Sequence, residues 1–344
     1  MKVLKAYKFR LYPSAEQKAF FIFTFGCVRF TYNHLLKERQ QEYQRTGFLG
    51  KGRTPAQLKK EFPFLKKTDS LALANAQLNL DRAYRNYFRS QAGFPKLKTK
   101  KSLWQSYTTN NQQGTIDLVE GQLKLPKLKE HIPVLVHRAV KGKIKSATIS
   151  AKYNEIFYVS LLCEEEVAPL PKTEKQVAVV FCKEIGIRTS QKILYPPYAV
   201  EGLESSLAKA ERRLQIKATS ARKRKVKLMD ARNYQKQKRR VAQLYQIRYQ
   251  RKRDYLEKLS FELVQAFDVI FIGKDSIQEQ PGPFDQQDWL LFLQKLAYKA
   301  KWYQKQLVFV EVPRLLQDPS ELERTGTALL NKPNWQGRQG SPRE

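Results

Sequence analysis

Two stretches of this sequence hold side chains whose type and spacing suit contact with phosphate. The first is Lys96-Leu97-Lys98-Thr99-Lys100-Lys101, with Trp104 and Tyr107 just beyond it. Ammonium groups interleaved with aromatic rings fit a nucleic-acid strand, because the cations meet phosphates while the rings stack on bases. The second runs from residue 209 to 253. It includes Arg222, Lys223, Arg224, Lys225, Lys227, Lys238, Arg239 and Arg240, and within those limits only Glu211 and Asp230 oppose the cations. A charge run is usually a solvated face. This one is long and one-signed, which points to a helical hairpin lying along a nucleic-acid duplex. A smaller set, Asn75, Asn79 and Arg82, falls at i, i+4 and i+7 and so shares one helix face. A plain solvated face is the simpler reading of that set, and base or backbone contact the functional one.

The whole chain agrees with that chemistry. Its 344 residues carry 64 Lys+Arg against 32 Asp+Glu, a formal charge of +32. Such a charge sets up a field that attracts phosphate, and binding releases the counterions. Apolar residues make up 42% of the chain and aromatics 12%, enough to bury real cores, which excludes a disordered basic tail. We find neither an apolar run of about 18 residues nor a secretory leader. The expectation is a cytoplasmic protein with access to the nucleoid and no membrane partner. Cys27, Cys163 and Cys182 form no CxxC pair and no metal-ligand cluster, and His34, His131 and His137 read as surface or packing residues.

The elements that must position these residues follow from periodicity. Residues 1–12 read as a strand ended by Pro13-Ser14, and Ser14 with Gln17 makes a capping-box pattern. Phe21, Phe25 and Val28 then share one face of a helix. Residues 46–56 read as a loop, about 68–90 as a second helix, and several short stretches between 115 and 163 as strands able to close a small barrel with the first one. Pro169-Leu170-Pro171 marks a linker. Strands near 176–182, 269–272 and 307–312, separated by helices at 201–262 and about 286–304, suggest an α/β layer.

Several segments go together: Tyr7-Lys8-Phe9-Arg10-Leu11-Tyr12-Pro13 with Gln17, Gly26-Cys27-Val28-Arg29-Phe30-Thr31-Tyr32-Asn33, and Leu80-Asp81-Arg82-Ala83-Tyr84 with Gly93-Phe94-Pro95-Lys96. Glu184-Ile185-Gly186-Ile187-Arg188-Thr189 and Leu296-Ala297-Tyr298-Lys299-Ala300-Lys301-Trp302-Tyr303 complete an ordered set over about residues 1–315. This set resembles the TnpB (OrfB) family of transposon-encoded proteins. The resemblance implies a guide-RNA-binding protein related to compact type V CRISPR effectors. Its RNA would direct it to double-stranded DNA beside a short flanking motif, pairing reading the sequence while the protein holds backbone and shape. It also brings Lys8, Arg10 and Arg29 into the candidate nucleic-acid set. The implied fold is α+β and multidomain. Residues 1–166 form an N-terminal β-barrel with a helical recognition lobe inserted at about 14–100, and 167–175 a linker. Residues 176–315 form a degenerate RuvC-like (RNase H-like) α/β domain with the basic hairpin, and 316–344 a loose tail.

The nuclease chemistry that the resemblance implies needs three carboxylates holding two divalent metals about 3.5–4 Å apart. Glu184 takes the first place, beside Lys183, although aligning the strand instead puts Val180 there. The second place falls on Gly273, with Asp275 and Glu311 as candidate substitutes. The third belongs to a D-R-D-x-N motif following a four-cysteine zinc ribbon, and this sequence contains neither. The expectation is therefore no intact catalytic residue, no catalytic magnesium and no zinc. The function expected is RNA-guided, sequence-specific DNA binding without cleavage, repressing transcription by occupancy. The alternatives are an active TnpB-like endonuclease with rearranged carboxylates, a decaying transposon product, and a protein that stabilises a transcript.

Overall fold

The computed structural model describes residues 1–48, 50, 52–153, 155–182, 186–191, 194–195, 202–273, 286–310 and 319–330. The chain divides into two compact units, Lys2–Glu166 and the part from Val167 onward.

The first unit opens with β1 (Lys2–Leu11), whose alternation buries Val3, Tyr7, Phe9 and Leu11 and turns Lys8 and Arg10 outward. Ser14 caps α1 (Ala15–Thr46): its Oγ accepts from the Gln17 N–H at 3.3 Å, and Gln17 Oε1 accepts from the Ser14 N–H at 3.0 Å. Phe21, Phe25, Val28, Tyr32, Leu35 and Leu36 are its buried stripe. Gly47, at φ 72°, supplies the left-handed conformation that ends the helix. Within the expected loop, Thr54 caps a short α2 (Pro55–Glu61) with Pro55 at its first position, and a 3-10 turn (Pro63–Lys67) leads on to α3 (Ser70–Phe88), capped by Asp69.

Six more strands follow: β2 (Trp104–Asn110), β3 (Asp117–Val119), β4 (Gln122–Lys124), β5 (Ile132–Leu135), β6 (Lys143–Lys152) and β7 (Ile156–Glu166). They join β1 in one sheet of order β2-β6-β7-β1-β5-β4-β3. The closed barrel expected from sequence is a half-barrel, with β2 and β3 as its edges. Just past β2, Asn111 ties the chain that leads to β3 back to β6. Its Nδ2 donates to the Ile116 and Ile144 carbonyls, at 3.0 Å each, and its Oδ1 accepts from the Ile116 N–H at 2.9 Å.

The second unit is built on β8 (Gln176–Cys182), β9 (Gly186–Thr189), β10 (Leu194–Tyr195), β11 (Val269–Gly273) and β12 (Gln306–Val310), in the order β10-β9-β8-β11-β12. The strands β8, β11 and β12 run parallel, and β9 is antiparallel to β8. The helices are α4 (Leu203–Lys223), α5 (Arg232–Ala266), α6 (Gln286–Tyr303) and α7 (Pro319–Leu330). Both faces of the sheet are covered, so its strands read as unbroken apolar runs. Val177, Val179, Ile270 and Ile272 pack with Leu256, Leu263, Trp289 and Phe292, while Ala178, Val180, Phe271, Val308 and Val310 pack with Leu322 of α7. Residues 319–330 are thus a helix on the sheet rather than part of a loose tail.

Candidate nucleic-acid interface

In the first unit the outer face of the half-barrel gathers cations and rings. Trp104 at the start of β2 stands opposite Lys152 of β6, and Arg10 of β1 opposite Tyr158 of β7. The Lys8 ammonium lies 4.8 Å from the Tyr158 ring centre and 5.2 Å from that of Trp104, and the Lys152 ammonium 5.9 Å from Trp104. The two rings are 5.9 Å apart. Arg10 lies 5.5 Å over the Tyr12 ring. Trp104 remains 43% exposed, so its ring is open to a stacking base while the ammoniums around it face phosphate. Tyr158 and Lys152 escape a reading of the sequence. Only the alternation along the ten-residue β6 and the eleven-residue β7 would have marked them as outward neighbours of Trp104.

Beside this platform is a cavity of about 360 Å³ lined by Phe25, Val28, Arg29, Lys98, Trp104 and Gln105, among others. Arg29 donates to Gln105 Oε1 at 2.9 Å, and Gln105 Nε2 to the Lys100 carbonyl at 2.9 Å. The side chain of Asn33 clamps the passing chain, accepting from the Lys98 N–H at 2.8 Å and donating to its carbonyl at 2.9 Å. The Lys98 ammonium sits 4.3 Å from the Tyr32 ring centre, and loss of water there pushes its pKa down. Lys96, Lys100 and Lys101 are exposed. Arg29, Lys98 and Trp104, distant in sequence, therefore line one hollow.

Tyr107 does not belong to this surface. It lies three residues after Trp104 on one strand, hence on the opposite face. It is buried against Phe21 and Phe25, with ring centres 6.2 and 5.8 Å away, and burial raises the pKa of its hydroxyl. Asn75 is also drawn into packing: its Nδ2 donates to the Leu71 carbonyl at 2.9 Å and to Asn110 Oδ1 at 3.4 Å. Asn79 and Arg82, further along the same helix face, are exposed.

In the second unit α4 and α5 form an antiparallel hairpin. Its seam is small, made by Leu203, Leu207, Ala210, Val241 and Leu244 with Leu214 against them. Gln237 donates to the Ala210 carbonyl at 2.9 Å, Tyr245 donates to Glu211 at 2.5 Å, and Arg248 pairs with Glu204 at 3.6 Å. Arg222, Lys223, Arg224, Lys225 and Lys227 surround the turn, and Lys238, Arg239 and Arg240 follow on α5. All are exposed, and none makes an ion pair among the described residues. At the base, burial pushes the Glu257 carboxyl up, but bonds from Lys295, Lys299 and Tyr298 outweigh this and hold its pKa at about 2. This cluster fastens α5 to α6.

The carboxylates nominated for nuclease chemistry, Glu184, Asp275 and Glu311, lie outside the described residues. The strands that lead to them are described. Val179 pairs with Ile272, and Gly273 with Val310, so one step further along β8 brings Val180 level with Gly273. Val180, Gly273 and Val310 offer no metal donor. Among the described residues no group of three or more His, Cys, Asp or Glu could hold a metal ion. No described helix is long and apolar enough to cross a membrane.

The helix-turn-helix domain model of OrfB proteins of IS605 elements matches residues 1–47. In this chain that span is a strand followed by one 32-residue helix. A candidate RNA-guided DNA endonuclease of Streptomyces pristinaespiralis is 28% identical over 90% of this chain and 78% of its own length. The candidate RNA-guided DNA endonuclease InsQ of Escherichia coli (strain K12) is 27% identical over 90% and 81%. The virulence protein VsdF of Salmonella dublin is 35% identical over 28% of this chain and 95% of its own. The fold is similar to that of Cas12f1 in its complex with single guide RNA and target DNA, with a TM-score of 0.56 at 10% identity, over 90% of this chain and 89% of the other. On a family model that matches its first 47 residues, and on two relatives that align along 90% of its length at 27–28% identity, this chain is similar to TnpB/OrfB (IS605) proteins.

Proposed function

We propose that this protein holds a guide RNA on its basic surfaces and is led by that RNA to double-stranded DNA beside a short flanking motif, where it acts as an RNA-guided DNA endonuclease. The observation that carries the binding half is the hairpin, whose turn and α5 present eight exposed cations, Arg222 to Lys225, Lys227 and Lys238 to Arg240, without ion-pair partners among the described residues. The platform of Lys8, Trp104 and Tyr158 supports it independently. The cutting half is supported by the names of the two relatives that align along most of the chain.

A second reading has an observation in its favour. Gly273 and Val310 end β11 and β12, and Val180 lies two residues before the end of β8, near where ligands of open α/β sheets gather, and none of these three side chains can ligate a metal. On that reading the protein occupies its target at the nucleoid and represses transcription without cutting. One experiment separates the two. The full-length tagged protein is recovered with its RNA and DNA, both are sequenced, and a matched DNA with its native flank is incubated with the complex in magnesium buffer. Strand scission supports the endonuclease, and stable binding without scission supports the repressor. Recovery of no discrete RNA overturns both.

A further inference from the structure

The turn between α4 and α5 is built in an uncommon way. The helix α4 ends in a Schellman motif: the Lys225 N–H donates to the Arg222 carbonyl at 2.9 Å and the Val226 N–H to the Ala221 carbonyl at 3.0 Å. The residue that must be left-handed in this motif is Lys225, at φ 54°. Glycine takes that conformation without steric cost and is the usual occupant, so a lysine there carries strain in exchange for one more ammonium at the apex.

Beyond it the chain stays tied down. The Asp230 and Ala231 N–H groups donate to the Lys227 carbonyl at 2.9 and 3.1 Å, and Gln235 Nε2 to the Leu228 carbonyl at 2.7 Å. Ala221 and Ala231 are buried beneath the turn. Val226 holds the place after the left-handed residue, where an apolar side chain commonly packs back on the helix, and it is 38% exposed. Met229 is 86% exposed. A single exposed apolar side chain is ordinary. This one stands at the apex of a hydrogen-bonded turn among Arg222, Lys223, Arg224, Lys225 and Lys227, with Asp230 as the one acid beside them.

We propose that the apex is a wedge for double-helical DNA: the cations seat it on the phosphates of the two strands, and Met229 enters a base step between them. The charge of the apex selects a polyanion. The apolar tip selects one with a stack to enter, since side chains such as Met, Leu and Phe unstack a step from the minor groove of DNA. An A-form RNA helix is the poorer partner, because its major groove is too deep and narrow for side chains and its minor groove is shallow. This inference rests on the nucleic-acid reading above and adds a DNA contact that needs no base pairing with the guide.

The test uses the full-length protein with its co-purifying RNA and a matched DNA duplex carrying a fluorescent adenine analogue at successive steps. The wild type is expected to brighten the analogue at one step. Met229→Ala removes that rise without lowering the thermal midpoint, and Met229→Leu keeps it. Lys225→Gly raises the thermal midpoint yet lowers the slope of log affinity against log salt by about 0.9, as expected when one phosphate is no longer neutralised. A rise that survives Met229→Ala, or a salt slope unmoved by Lys225→Gly, overturns the wedge. So does an effect of these variants on RNA retention alone. A wild type that binds RNA and matched DNA but brightens no step overturns the wedge and leaves the proposed function standing. A wild type that binds no nucleic acid overturns both.

Discussion

The ammonium of Lys8 lies 5.2 Å from the ring centre of Trp104, joining the first strand of the half-barrel to an edge strand nearly a hundred residues later. The contact keeps the ring orientation while leaving 43% of Trp104 exposed. Trp104→Ala should therefore weaken nucleic-acid binding by about 1–3 kcal/mol, the worth of one stacked base. Trp104→Phe should recover most of it. Fluorescence titration with the recovered RNA checks both, and a thermal melt should show little change for either.

The hairpin cations should act as phosphate contacts rather than as sequence readers. Replacing Lys238, Arg239 and Arg240 by alanine should weaken binding to all sequences alike and reduce the salt slope by about 0.9 for each phosphate left without its cation. Affinity measured across a salt series, on matched and mismatched DNA, reads both effects. A change in the matched-to-mismatched ratio would assign these residues a different role.

Tyr107 separates core from surface. Its ring, carried by β2, is buried against Phe21 and Phe25 of α1. Tyr107→Ala should cost about 3–5 kcal/mol of stability, as large aromatic deletions from cores do. Urea denaturation measures this. At a temperature where the variant stays folded, its RNA affinity should match that of the wild type.

Acid should loosen the second unit before it disturbs the surface cations. Burial raises the Asp268 carboxyl, but bonds from Lys305 and the N–H groups of Glu174 and Thr173 hold its pKa at about 2, as the Lys295, Lys299 and Tyr298 bonds do for Glu257. Both folded values lie below the ordinary ones. Their contribution is thus complete above the unfolded carboxylate range and is lost as pH falls toward 2. The denaturation midpoint should drop across that window. Glu257→Gln and Asp268→Asn should each flatten the drop and cost on the order of 1 kcal/mol at neutral pH, once solvent screening is allowed for.

Where the residue pattern and the element share one cause, the fold is legible. Ser14 and Gln17 mark the start of α1 because a capping box is local. The unbroken apolar runs of β8 and β11 reflect burial on both faces. The strand β2, Trp-Gln-Ser-Tyr-Thr-Thr-Asn, is not legible, since its outward face carries the aromatic Trp104 among polar residues and Tyr107 and Thr109 are its buried residues. The same blindness puts Tyr107 beside Trp104. The helix α7 is hidden because its described packing on the sheet runs through Leu322. For the interface, charge identifies the hairpin and the segment at residues 96–101. The partners Tyr158, Lys152 and Asn33 appear only once strand register and chain path are known.

The narrow seam of the hairpin has a consequence for the protein when it is alone. A small apolar seam and three polar links hold together two helices whose outer cations find few counter-charges among the described residues. The free protein is then under internal pressure, like charge pushing on like charge across a short distance, and that pressure is released when a polyanion settles between the cations. Added salt should pull in opposite directions on the two forms. It calms the empty hairpin by screening and loosens the filled one by competing for phosphate. The ionic strength that best preserves the isolated protein is thus the one at which it holds its ligand least.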